Sequence, residues 1–509
     1  MRERHSSFRA GDQARFVRDG YTVVRSGLPA EFHEAVYAKV DEVFEKESNL
    51  GNNILPRVPE IQQVFDEAAV RNALTSLLGP DYILNPHRHC HLNPPGSKGQ
   101  SWHKDCYVFD HNIRHPRFRW VLAFYYPQET TREMGPTGIM PGQQWYRTIS
   151  EPDPARATET EMPLVGEAGT IAIVHFDAWH RATPNVSDRK RYMLKFQFAR
   201  RREPLPSNGA PSDKTNAKTA LCTDVMQWLT GVDELLPGPD ANGVVAGYVD
   251  ELSSSDPVER ARAADALALS GDAGGAADRL KLLLRDDVER VRVNAAYALA
   301  TTGADGVNAL VASMSEEALA NIDLTEAKTA DNAHGTNPTA PAASHALAVA
   351  GDQAVTALEE SLGDEEWYVR ASAADGLANM GRVAASATES LAVAVEDEHW
   401  WVRRNAIEAL SRTGELSPLA TTAVSRALED DDYRVRRNAA MAMRHAPAPA
   451  EETITGLCSM LDDENRYNRF YAVDGLRHFS GDSPEAEQAL LDHLITARWC
   501  PLTSSESQY

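Results

Sequence analysis

The chain reads as a multidomain α+β protein, with a β-rich N-terminal half carrying flanking helices and an all-α solenoid after it. Three observations predict this. Short β-branched and aromatic runs punctuated by Pro and Gly fill Tyr21 to Phe198. From Asp256 onward a Val-Arg-x-x-Ala-Ala-x-x-Leu-x-x-x-Gly segment recurs. The charge changes at the same place, from 27 Lys+Arg against 25 Asp+Glu through Leu205 to 24 against 49 beyond it.

In the first half the predicted strands are Tyr21–Val24, Tyr82–Leu84, Trp120–Tyr125, Thr170–Val174 and Tyr192–Phe196. The clearest helix is Pro29–Lys46, where Phe32, Val36, Val40 and Phe44 recur every four residues and form one stripe for the outside of a sheet. Residues 1–205 are therefore expected to be one domain, and 206–250 a linker with a helix at Ala217–Leu229. Residues 251–500 form the repeat domain and 501–509 a tail.

Within the repeats Arg370, Arg403, Arg436 and Arg469 are 33 residues apart. Alternating Ala-rich and Leu-rich helices give about seven repeats, with an insertion near 321–338. The pattern resembles the HEAT-like repeats of phycobilin-lyase-type proteins. Trp367, Trp400, Tyr433 and Tyr467 recur at the starts of the marker helices, where packing between neighbours is expected and a ligand surface is the alternative.

The 509 residues are 42% hydrophobic and 25% charged, and no apolar run approaches the ~18 residues of a membrane helix. The N-terminus has no apolar signal core, and Cys90, Cys106, Cys222, Cys458 and Cys500 form no CxxC pair, so a soluble cytoplasmic protein with reduced thiols is expected. A net charge of −23, concentrated in the repeats, repels phosphate backbones and anionic lipid, which disfavours nucleic-acid and membrane partners.

Chemistry is concentrated in Ser101-Trp102-His103-Lys104-Asp105 and in the stretch from Trp179-His180 to Arg191. Two residues apart on an extended segment, His103 and Asp105 point the same way. His180 on a paired strand then completes the facial two-histidine, one-carboxylate set that suits Fe(II) and leaves positions open for co-substrate and O2. Arg191, eleven residues on, is the candidate fork for the distal carboxylate of 2-oxoglutarate, with Arg189 its competitor.

With Phe16 to Val24, the Asn93-Pro94-Pro95-Gly96 turn and Gly135 to Gly142, these residues resemble the phytanoyl-CoA dioxygenase family of Fe(II)- and 2-oxoglutarate-dependent oxygenases. The resemblance implies a double-stranded β-helix, or jelly-roll, with iron on His103, Asp105 and His180 and 2-oxoglutarate on Arg191. Thr183 and Phe124 are assigned to the same co-substrate site. Gln143-Gln144, where members often carry Ser-His, departs from the family pattern.

Asn85, His87, His89, His91 and Asn93 alternate along one run and are expected to share a strand face. His87, His89, His91 and Asn93, with Trp145 as a wall, are the expected substrate contacts. Other aromatics near the motif, such as Tyr107 and Phe109, are expected to be core. The basic run Arg114, Arg117, Arg119 is expected to dock on the acidic repeats. The leading expectation is hydroxylation of a small polar or natural-product-like metabolite, consuming O2 and releasing succinate and CO2. The alternatives are a protein or carrier-bound substrate presented by the repeats, and a scaffold without turnover.

Overall fold

In the computed structural model, eight strands among the described residues form two sheets. In chain order they are β1 (Tyr21–Arg25), β2 (Ile83–Asn93), β3 (Trp120–Tyr126), β4 (Thr137–Ile139), β5 (Met162–Pro163), β6 (Thr170–His175), β7 (His180–Ala182) and β8 (Arg191–Ala199). The described residues are 8, 10–49, 51–105, 116–146, 160–205, 219–232, 245–271, 273–326 and 342–496. Tyr107, Phe109, Arg114, Cys106, Cys500, the inserted residues from 327 to 338 and the 501–509 tail lie outside them.

The larger sheet runs β1-β6-β3-β8-β2 and the smaller β5-β4-β7, with every pairing antiparallel. This is the expected jelly-roll barrel. β3, β6 and β8 are buried along their whole length, as strands covered on both faces must be. Alternation on β8 assigns the two faces. Tyr192 meets Tyr37 and Phe44, and Phe196 and Phe198 meet Phe65, all on the outer, helix-covered side. Arg191, Met193, Lys195 and Gln197 therefore face inward. The helix carrying Tyr37 and Phe44 spans Ala30–Glu47, with Val36 and Val40 buried, so the four-residue stripe packs outside the sheet as expected.

The C-terminal half is helical. Seven marker helices are described, Pro257–Ser270, Glu289–Ala300, Ala342–Leu347, Trp367–Met380, Trp400–Thr413, Tyr433–Ala442 and Arg466–Phe479. The repeating arginines have one structural job. Arg403 donates from Nη1 to the carbonyls of Asp397 and Glu398, just before its own helix, while Nε and Nη2 grip Asp430 of the next repeat at 2.7 and 2.8 Å. Arg370 with Asp397 and Arg436 with Asp463 repeat the clamp. Across Arg370, Arg403 and Arg436 the 33-residue period thus carries an Arg–Asp staple from one repeat to the next. The aromatic positions are also used internally, since Trp367 stacks on His399 at 3.7 Å and the Arg434 guanidinium lies 3.3 Å over Trp400. Among the described residues no helix is long and apolar enough to cross a membrane.

The two halves share one contiguous apolar core, running from Phe16 in the barrel to Ala486 in the repeats. The docking expected of the basic run is present at Arg117 and Arg119. Arg117 pairs with Asp224 at 3.0 Å, its carbonyl accepts from Arg412, and Arg119 reaches Ser411 at 3.2 Å. Glu203 stands at the centre of this contact, held by Arg412 at 2.8 Å and by the Trp228 indole at 2.8 Å. Thr219 caps the bridging helix, which runs from Ala220 to Leu229.

Burial alone would raise the Glu203 carboxyl, but Arg412, Arg200 and Trp228 overcome it and hold it at about 2. A group depressed in the folded chain stabilises above its ordinary value of 4.5, and that stabilisation is lost as pH falls toward 2. Urea denaturation of Glu203→Gln against wild type should show a deficit on the order of 3 kcal/mol at pH 7, shrinking below about pH 4.5. A pH-independent deficit would contradict the interface electrostatics.

Candidate active site

Gly99 sets the approach of the first motif. Its φ is +77°, and a Cβ there would lie 2.5 Å from the Ala182 carbonyl, so only glycine lets this segment run so close to β7. Beyond it, His103 and His180 exchange both main-chain hydrogen bonds, each at 3.0 Å. Their side chains consequently stand together, with ring centroids 4.4 Å apart.

Each imidazole is oriented by a carbonyl. His103 Nδ1 lies 3.0 Å from Ser101 O and His180 Nδ1 lies 3.0 Å from Ala178 O. A carbonyl only accepts, so Nδ1 carries the proton on both rings and Nε2 keeps its lone pair. His180 Nε2 is 3.6 Å from Asp105 Oδ2, and one ligand atom from each of the three residues lies within 4.8 Å of the others. Among the described residues this is the one His/Cys/Asp/Glu group so arranged. Burial lowers His180 to about 4, so the ring is neutral and able to ligate at physiological pH. Phe124 packs beside it at 5.7 Å.

Asp105 is 1% exposed. Burial would raise its carboxyl, yet Lys195 and His180 hold it far below the usual carboxylate range. Lys195 Nζ sits 2.8 Å from Asp105 Oδ2, an inward residue of β8 that the sequence reading passed over. A buried cation thus occupies the carboxylate that a divalent metal would need.

Arg191 is buried, with Nε and Nη2 both on Gly135 O at 3.0 and 2.7 Å. Asn93 donates to the same carbonyl at 2.9 Å and to Thr183 O at 3.0 Å. Gly135 is obligatory, since at φ +68° a Cβ would meet the Asn93 amide nitrogen at 2.3 Å. Thr183 spends its hydroxyl on Pro136 O at 2.7 Å. Arg189 lies at the surface, 3.5 Å from Glu129.

The register of β2 against β8 sets His89 opposite Lys195, His91 opposite Met193 and Asn93 opposite Arg191, all inward, while a bulge interrupts pairing between Leu84 and Arg88. The His89 and His91 rings meet at a tilt of 54°, centroids 4.4 Å apart. Burial lowers His87 to about 3 and His89 to about 4, so the face is lined by neutral imidazoles. Trp145 is not brought into this group. It packs against His175 at 4.8 Å, on the outward side of β6.

Residues 16–193 match the phytanoyl-CoA dioxygenase (PhyH) family, and residues 354–444 match HEAT repeats. Solved structures similar to the barrel cover about two fifths of this chain. One is the non-heme monooxygenase ThoJ in a nickel complex, with 18% identity, 38% of this chain, 80% of that chain and a TM-score of 0.30. Another is the α-ketoglutarate-dependent epimerase SnoN from nogalamycin biosynthesis, with 16%, 39%, 88% and 0.33. A third is EctD from S. alaskensis with 2-oxoglutarate and 5-hydroxyectoine, with 17%, 39%, 79% and 0.33. No curated protein matches the chain.

In the barrel, Lys195→Met should leave the Asp105 carboxylate buried without its cation and cost about 3 kcal/mol in metal-free protein. Denaturation with and without Mn(II) tests this. Mn(II) should restore stability in the variant more than it adds to wild type, and equal increments would contradict a shared Oδ2.

Proposed function

We propose that the chain is an Fe(II)- and 2-oxoglutarate-dependent oxygenase that hydroxylates an unactivated C–H bond of a small polar or natural-product-like metabolite. The observation that carries the reading is that His103, His180 and Asp105 bring one ligand atom each within 4.8 Å of the others, with Nδ1 of both rings held by backbone carbonyls. Two neutral nitrogens and a carboxylate on one side fit Fe(II) and leave the opposite side for a co-substrate. When bound, the iron and the oxo acid supply O2 activation, with succinate and CO2 as by-products.

The chain's own residues bind and orient. Arg191 uses two of its five N–H groups on Gly135 O, which fixes the plane of the fork and leaves the others for the distal carboxylate of 2-oxoglutarate. A metal held by Asp105 would compete with Lys195 for Oδ2, and the Lys195 ammonium beside the site would favour an anionic co-substrate. Phe124 and Met193 line the interior and exclude water. Intact ligands and an intact fork favour turnover over a scaffold role. Within the repeats, Trp367 and Trp400 are engaged by His399 and Arg434, which favours a small substrate over one displayed along the solenoid. Cys90, Cys222 and Cys458 are unpaired thiols, in keeping with a reducing, cytoplasmic setting.

Anaerobic addition of Fe(II) and 2-oxoglutarate to the full chain should produce a weak visible charge-transfer band that requires both. His103→Ala should abolish it, and Arg191→Ala should raise the 2-oxoglutarate requirement at least about tenfold, the loss of one charge-assisted contact. Folded wild type that binds metal and shows no such band would sink the proposal.

A further inference from the structure

One helix of the repeats reaches strand β2 of the barrel. Inward from Asp105, the polar inner face continues through Lys195 to Gln197, and Gln197 Oε1 accepts from Asn85 Nδ2 at 3.0 Å. The Asn85 Oδ1 atom then accepts from the Tyr471 hydroxyl at 3.4 Å. One turn earlier, the Tyr467 hydroxyl lies 2.7 Å from His87 Nδ1 and accepts from Asn52 Nδ2 at 3.3 Å. Both tyrosines belong to the marker helix Arg466–Phe479, more than 370 residues from β2. Arg466 adds a donor to the Tyr467 hydroxyl at 3.3 Å.

Two polar atoms in the same lining lack partners. Gln197 is 0% exposed, yet its Nε2 makes no hydrogen bond, and His91 Nε2 is likewise buried without one. An unmet donor and an unmet ring nitrogen each cost free energy unless something hydrogen-bonds there. His87, His89 and His91 are partly exposed rather than sealed in packed core. Burial keeps all three imidazoles neutral. On the adjoining stretch of β8, Lys195 is matched by Asp105 and Arg191 is held by the Gly135 carbonyl. Such a lining suits hydroxyl and carbonyl groups better than an alkyl chain.

We propose that the helix Arg466–Phe479 is one wall of the oxygenase pocket, and that Tyr467, with Gln197 and His91, forms a subsite for hydroxyl or carbonyl groups of the substrate. This rests on the iron-site reading above and extends it, because the repeats then supply part of the specificity. The full chain is required for a closed pocket.

The test uses the full chain labelled with 3-fluorotyrosine, with Tyr467 and, as reference, Tyr126, two residues past Phe124 on the same face of β3; their fluorine resonances are identified by their loss in Tyr467→Phe and Tyr126→Phe. Mn(II) is the first probe. It should broaden both resonances in wild type and neither in His103→Ala. Broadening of Tyr126 alone overturns the proposed wall and leaves the metal reading standing. Broadening of neither removes the metal reading and the proposal with it. The second probes, added to protein holding Zn(II) and N-oxalylglycine, are myo-inositol, D-glucose and dodecanoate. A polyol should shift the Tyr467 resonance, with at least a tenfold weaker titration in Gln197→Leu. A shift with dodecanoate alone, or with none of the three, overturns the subsite's assigned chemistry.

Discussion

The pair of main-chain hydrogen bonds between His103 and His180 holds together segments 77 positions apart in sequence and fixes where two imidazoles must point. Everything chemical in the barrel follows from that pairing. Because antiparallel partners share a face, the two rings stand side by side, and because each Nδ1 is tied to a carbonyl, both lone pairs aim at the same space. Asp105, two residues past His103, is carried to the same point by the alternation of an extended chain. The resulting concentration of donors is unstable without a cation. Lys195 meets that requirement in the metal-free chain, which keeps a buried carboxylate from standing alone.

The second half of the molecule is built on a different rule, a staple repeated every 33 residues. Arg370, Arg403 and Arg436 each close the turn before their own helix and fix the next repeat. The repeats in turn meet the barrel at several points. Arg412 and Glu203 anchor the middle, and Tyr467 and Tyr471 reach the β2 edge. The repeats and the barrel share one hydrophobic core, so they behave as a single structural unit.

Much of this was legible in the sequence, for physical reasons. The His-x-Asp spacing with a distant histidine specifies a facial ligand set because strands alternate, and the arginine period announced the solenoid because each copy needs the same clamp. Other residues were hidden. Lys195 and Gln197 sit inside an otherwise apolar strand, where the alternation begun at Arg191 was the available signal. Tyr467 read as repeat packing because its partner, His87, lies 380 positions away. Trp145 was expected as a pocket wall, but aromatic composition near a motif does not say which face of a sheet a ring joins. Thr183, expected at the co-substrate site, gives its hydroxyl proton to a turn carbonyl. Both outcomes depend on tertiary context that local pattern does not carry.

The most direct test of the account is anomalous diffraction at the iron edge from crystals of the full chain loaded anaerobically with Fe(II). The account predicts a single strong peak within bonding distance of His103 Nε2, His180 Nε2 and Asp105, with the Lys195 ammonium moved off Oδ2. Iron bound elsewhere, or no peak at this point with Lys195 still on Asp105, would contradict it.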